Sequence, residues 1–126
     1  MTKTAPKILI IDDDTDIGMM LKMMLEFKEF KAVVTEKVNE AMKIMQTDII
    51  DLILLDMLLS GVNGVDVCMN LKNDPKTKNT PLIMISAHPN AKDLCMNAGA
   101  DDFIPKPFDM EDIISRINRL LVSQSC

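Results

Sequence analysis

The chain is poor in the residues that mark several protein classes. It has no Trp and no Tyr, and aromatics make up 3% of its 126 residues. A core without large rings must be filled by Ile, Leu, Val and the 12 Met. Its three cysteines, Cys68, Cys95 and Cys126, have no CxxC spacing. An odd count with that spacing speaks against both a disulfide framework and a zinc site, and points to reduced thiols in a cytoplasmic protein. No apolar run reaches membrane-spanning length, since the longest, Ile49 to Leu55, is broken by Asp51. No basic stretch followed by an apolar one opens the chain, so no secretory signal is expected. Fourteen Lys and Arg stand against 19 Asp and Glu, a net charge of −5. That balance disfavours direct nucleic-acid or membrane-surface binding.

What is present is a core-forming share of hydrophobic residues, 48%, in a length suited to one domain. We expect a single domain over 1–126 with its folded core at about 6–122. Five short apolar runs read as strands: Lys7–Ile11, Phe30–Val34, Ile50–Leu55, Pro81–Ile85 and Asp102–Pro105. Amphipathic segments follow each. The first presents Ile17, Met20, Leu21, Met24 and Leu25 on one face, and the second spans Val38 to Met45. A third follows Gly64, with Asn63-Gly64 as a turn. The fourth starts near Pro89 and stops at Gly99, and the fifth is capped by Asp109. The tail Ser123–Cys126 is expected to fray. Strand and helix alternate five times, which predicts an α/β protein with one parallel sheet covered on both faces.

In such a sheet ligands bind beyond the carboxyl ends of the strands. The first strand ends at Asp12, Asp13 and Asp14, the third at Asp56, the fourth at Ser86 and the fifth at Lys106. Crowded carboxylates repel one another, and a divalent cation relieves the conflict. With only oxygen ligands on offer, magnesium fits better than zinc. One carboxylate then remains to attack phosphorus and form an acyl phosphate, with Lys106 and Ser86 to meet the phosphoryl oxygens.

The runs Ile8-Leu9-Ile10-Ile11-Asp12-Asp13-Asp14, Asp51 to Asp56, Ser86-Ala87 and Lys106-Pro107-Phe108, with Gly99-Ala100-Asp101-Asp102, resemble the CheY-like receiver domain of two-component response regulators. The resemblance covers Lys7 to about Leu121. It implies a flavodoxin-like doubly wound fold with five strands in the order 2-1-3-4-5 and five helices. It implies phosphorylation of Asp56 with Mg2+ as cofactor, and a chain that catalyses its own phosphorylation and dephosphorylation. Asp13 would then be the direct metal ligand, Asp12 one acting through water, and the backbone carbonyl of Leu58 a third ligand. Ser86 and Lys106 would assist the transfer, Ser86 and Phe103 would switch, and the Lys106–Pro107 bond would be cis. The donor would be a histidine kinase or a histidine phosphotransfer protein. The readout surface would be the fourth helix, fifth strand and fifth helix, for a partner protein or for homodimerisation. Ser60 departs from the family's usual proline, Phe103 lacks a phenolic hydroxyl, and Leu58 and His88 occupy the two variable positions beside the site.

Plainer readings stand beside these. Phe103 suits simple packing, and His88 suits an exposed loop. Met19 and Met23 lie off the apolar face of the first helix, as scattered surface residues or as a docking patch for the phosphodonor. A flavin or nucleotide module on the same fold would want a glycine-rich loop after the first strand, which is missing. An aspartyl phosphatase would want a second acid where Leu58 stands. A pseudo-receiver that only binds a partner is the remaining alternative.

Overall fold

A computed structural model describes residues 5–59, 61–88 and 90–125, the side chains of 123–125 excepted. The expected strands form one parallel sheet. They are β1 (Lys7–Ile11), β2 (Lys31–Thr35), β3 (Leu52–Asp56), β6 (Leu82–Ser86) and β7 (Asp102–Pro105), and their order is β2-β1-β3-β6-β7. Two further strands, β4 (Leu58–Leu59) and β5 (Val62–Asn63), make a small antiparallel hairpin apart from the sheet. With the hairpin left out of the count, the order is the expected 2-1-3-4-5. The three inner strands are the most apolar, because both of their faces are covered.

Alternation along the strands divides the core. Ile8, Ile10, Leu52, Leu54, Ile83, Ile85 and Ile104 pack with Leu21, Met24 and Leu25 of α1 (Thr15–Phe27) and with Ile113 and Ile117 of α5 (Met110–Ser125). The opposite face meets α2 (Val38–Thr47), α3 (Gly64–Asn73) and α4 (Ala91–Asn97). Two helices therefore cover one face and three the other. No helix among the described residues is long and apolar enough to cross a membrane.

Several local expectations need correction. Phe30 and Ile50 are buried but precede their strands rather than open them. Met20 is 49% exposed, because the buried stripe of α1 runs through Gly18, Leu21, Met24 and Leu25 and leaves Met20 at its margin. Gly18 brings the helix close to β2, where an added Cβ would lie 2.8 Å from Val34 Cγ1. Asn63 is not a bare turn residue: its side chain accepts the Val65 amide and caps α3. α5 runs to Ser125, through the tail where fraying was expected. Gly99 sits at φ 105°, in keeping with the expected stop of α4. Ser60, Pro89 as the opening of the fourth helix, and Cys126 lie outside the described residues.

Gly64 positions the site most directly. An added Cβ there would fall 2.6 Å from the carbonyl oxygens of both Asp56 and Met57. Backbone atoms at the end of a central strand cannot yield as a flexible side chain can. Gly64→Ala is expected to cost about 1–3 kcal/mol in urea unfolding, the usual range for overpacking, and more than Gly18→Ala, whose Cβ meets only a Val34 methyl. Equal costs would show that the β3–α3 approach is not the tighter constraint.

Candidate functional site

Strand register builds the site. Ile11 pairs with Leu55, so Asp12 emerges beside Asp56. Asp56 pairs with Ile85, so Ser86 follows on its other side. Ser86 pairs with Pro105, so Lys106 comes next at the same edge. The Lys106 amide donates to the Ser86 carbonyl at 2.9 Å, and the Lys106–Pro107 bond is cis. Asp12, Asp56 and Ser86 are all buried, Asp12 to 1% and Asp56 to 6% exposure.

Carboxylate oxygens of Asp12, Asp13 and Asp56 lie within 4.8 Å of one another. One cation of the chain faces two of them: Lys106 Nζ is 3.6 Å from Asp56 Oδ1 and 3.9 Å from Asp12 Oδ2. Asp12 Oδ1 accepts the Asp14 amide at 2.9 Å. Asp12 Oδ2 is buried without any hydrogen-bond partner, an expensive state for an ionised oxygen. Burial pushes the Asp12 carboxyl up to about 6, and the neighbouring Asp56 charge adds to this, while the Asp14 amide and Lys106 pull the other way. An orphaned buried oxygen within a triad of hard oxygen donors is a chemical fit for a divalent cation such as magnesium.

The other candidates are placed as follows. Asp14, the third acid of the run, caps α1 by accepting the Asp16 and Ile17 amides at 3.0 and 3.2 Å. That role was readable from an acid just ahead of the helical segment. Leu58 opens the hairpin after Asp56, with its side chain 62% exposed and its amide 3.4 Å from Asp56 Oδ1. Ser86 Oγ accepts the His88 amide at 3.0 Å, which leaves its hydroxyl proton free to point at an acceptor. His88 is exposed. Phe103 is buried in the core layer against α2, α3 and α4.

Two features had no forewarning. Asp102 binds Arg116 at 2.8 Å and Arg119 at 3.2 Å, and Arg116 also donates to the Phe103 carbonyl, so α5 is tied to β7 at two successive residues. A shallow cleft of about 430 Å³ is lined by Ile17, Met20, Ala87, Lys106, Pro107 and Phe108, on the α1 side of the site.

The sequence matches the response regulator receiver domain family over residues 8–118. The transcriptional regulatory protein CpxR of Escherichia coli is 37% identical over 117 residues, which are 91% of this chain and 49% of CpxR. The chain spans about half the length of the curated relatives it matches. A putative response regulator from Chloroflexus aurantiacus superposes with a TM-score of 0.88 at 28% identity, covering 94% of this chain and 98% of that one. The receiver domain of a signal transduction histidine kinase from Syntrophus aciditrophicus does so with 0.86 at 30% identity, covering 94% and 92%.

The strain at Asp12 makes a prediction for metal-free protein. Its carboxyl holds a proton in the fold up to about pH 6, whereas the unfolded chain releases it near 3.8. Stability is therefore lost as pH rises through that window. Asp12→Asn keeps an acceptor for the Asp14 amide and removes the charge. In EDTA its advantage over the native chain is expected to grow from nothing near pH 3.8 to ~1–3 kcal/mol above pH 6. Urea midpoints across the range test this, and a pH-independent difference would refute it.

Proposed function

The chain belongs to the response regulator receiver domain family, and we propose that it accepts a phosphoryl group from a phosphohistidine donor onto Asp56 in a two-component phosphorelay. The observation that carries this reading is the nearly buried Asp56 carboxylate, 3.6 Å from Lys106, beside an Asp12 oxygen with no hydrogen-bond partner. In the transfer, an Asp56 oxygen bonds to phosphorus as the phosphorus–nitrogen bond of the donor breaks. The leaving imidazole takes up a proton. Lys106 then pairs with a phosphoryl oxygen, and the Ser86 hydroxyl donates to another.

Asp12, Asp13, Asp56 and the Leu58 backbone carbonyl would hold Mg2+, which supplies positive charge against the developing phosphoryl oxygens. Leu58's own side chain has no group to orient an attacking water, which favours a persistent acyl phosphate. Phosphorylation draws the Ser86 hydroxyl toward Asp56 and biases a two-state equilibrium that Phe103 follows. The readout is a protein partner, or a second copy of the chain, on the α4–β7–α5 surface. Leu94, Met96, Met110 and Val122 are exposed on those helices. The setting is cytoplasmic, in keeping with buried reduced Cys68 and Cys95.

The donor is proposed to dock on α1. Met19, Met20 and Met23 are exposed there, Met23 to 67%, and Met20 borders the cleft that reaches Lys106. Adaptable thioether side chains suit such a contact.

Intact mass after incubation with acetyl phosphate tests the acceptor. One phosphoryl adduct is expected with magnesium, none with EDTA and none in Asp56→Asn. An adduct that survives in Asp56→Asn would move the site elsewhere. A native chain that never labels, even after rapid quenching, would make it a phosphorylation-independent interaction module. Met23→Lys is expected to slow transfer from a phosphohistidine protein several-fold and to leave acetyl phosphate labelling unchanged. Equal rates from the protein donor would remove α1 from the interface.

A further inference from the structure

Six methionines among the described residues are exposed, and three of them, Met19, Met20 and Met23, stand together on α1. The other three, Met69, Met96 and Met110, stand singly on α3, α4 and α5. Met23 lies one helical turn on from Met19 and Met20, so the three thioethers share a face. That face is not the packed one. The apolar layer under α1 takes Leu21, Met24 and Leu25 instead. A polar atom added to Met19, Met20 or Met23 therefore meets water, and the core is left as it was.

The chain's other sulfurs are better shielded where they matter. Met57, which follows Asp56, is buried, as are Met24 and Met84. Cys68 and Cys95 are fully buried, and burial pushes the Cys68 thiol up to about 11 and raises that of Cys95. Neither presents a thiolate to an oxidant at neutral pH. Asp12, Asp56, Ser86 and Lys106 contain no sulfur at all. Mild oxidation thus falls on the surface thioethers, and on α1 it falls on three at once.

We propose that Met19, Met20 and Met23 form an oxidation site at which a peroxide slows transfer from the protein donor and leaves the acceptor chemistry intact. At each, a sulfur lone pair attacks one oxygen of hydrogen peroxide as the O–O bond breaks. The sulfur is oxidised to the sulfoxide, and the other oxygen leaves as water. The product is polar and chiral where the thioether was apolar and adaptable. Burying its S–O group against a partner's apolar side chains costs free energy that the thioether did not. Met20 also borders the cleft that reaches Lys106, so the change begins at the edge of the site. A small phosphodonor needs no contact with α1. Sulfoxide reductases reverse the modification. The effect on transfer rests on the reading of α1 as the donor face.

The test uses Cys126→Ser, to remove the remaining thiol, and a purified histidine phosphotransfer domain, phosphorylated in advance and selected because it labels the untreated chain. After hydrogen peroxide and then catalase, peptide masses are expected to show sulfoxide at Met19, Met20 and Met23 well before Met24, Met57 and Met84. Transfer from the phosphohistidine domain is expected to fall several-fold, to recover after treatment with methionine sulfoxide reductases of both stereospecificities, and to leave acetyl phosphate labelling unchanged. In Met19→Leu/Met20→Leu/Met23→Leu, each rate being compared with that of its own untreated sample, the fall is expected to vanish. Oxidation of α1 no earlier than of the buried methionines, an undiminished transfer rate, or an equal fall in the leucine variant overturns the proposal. Met23→Lys separates the two readings. If it slows transfer and peroxide does not, the oxidation site falls and α1 docking stands; if neither does, both fall.

Discussion

Two nearly buried carboxylates, Asp12 and Asp56, share the ammonium of Lys106. Neither distance is short enough for a strong charge-assisted hydrogen bond, so among the described residues one cation stands at arm's length from these two acids. This imbalance organises the rest. The sheet register sets the acids side by side, Gly64 lets α3 approach the end of β3, and the Lys106 backbone is pinned to Ser86. A well-packed apolar framework makes the crowding tolerable, since β3 and β6 are buried along their whole length. Charge repulsion confined to one rim costs a fraction of what both core layers contribute.

Much of this was legible because the signal and the structure share a cause. Inner strands of a parallel sheet are covered on both faces, so they read as apolar runs, and each run stops where the chain reaches the polar rim. The residues that end them, Asp12, Asp56, Ser86 and Lys106, are therefore both the visible boundaries and the group that the sheet brings together at one edge. Where that shared cause was missing, reading failed. The β4–β5 hairpin has two residues per strand, too few for any period. Met20 looked like core because helical spacing gives the width of an apolar stripe poorly at its margins. Asn63 looked like a turn because the Asn-Gly pair fits both a turn and a cap. The Asp102–Arg116–Arg119 network depends on a β7–α5 packing that no local pattern encodes.

The path outward from Asp56 is polar and short. Ser86 is the hub: its carbonyl takes the Lys106 amide and its hydroxyl oxygen takes the His88 amide. Whatever draws the Ser86 hydroxyl toward Asp56 must act against or with these two bonds. One leads to β7 and the cis Lys106–Pro107 bond, the other through His88 to α4. β7 is in turn fastened to α5 by Arg116. All three elements of the proposed readout surface are thus one or two hydrogen bonds from the neighbours of Asp56. Phe103, buried between α4 and the sheet, adds an apolar contact to the same route but has no hydroxyl to fix it in either of two positions.

The energetics of the rim bear on the proposed switch. A site that is short of positive charge destabilises the fold when empty, and anything that brings such charge stabilises it by mass action. Burial, with the Asp56 charge adding to it, pushes the Asp12 carboxyl up to about 6. A divalent cation would discharge the deficit, and the proposed phosphoryl group on Asp56 would restore negative charge while offering oxygens to Lys106 and Ser86. Bare Asp56 has Lys106 only at 3.6 Å. Under the proposed function, the modified state would gain its stability from contacts that must be shortened, that of Lys106 among them. The crowding of Asp12 and Asp56 around Lys106 is thus the feature through which the proposed chemistry at Asp56 would reach Ser86 and the β6–α4 segment.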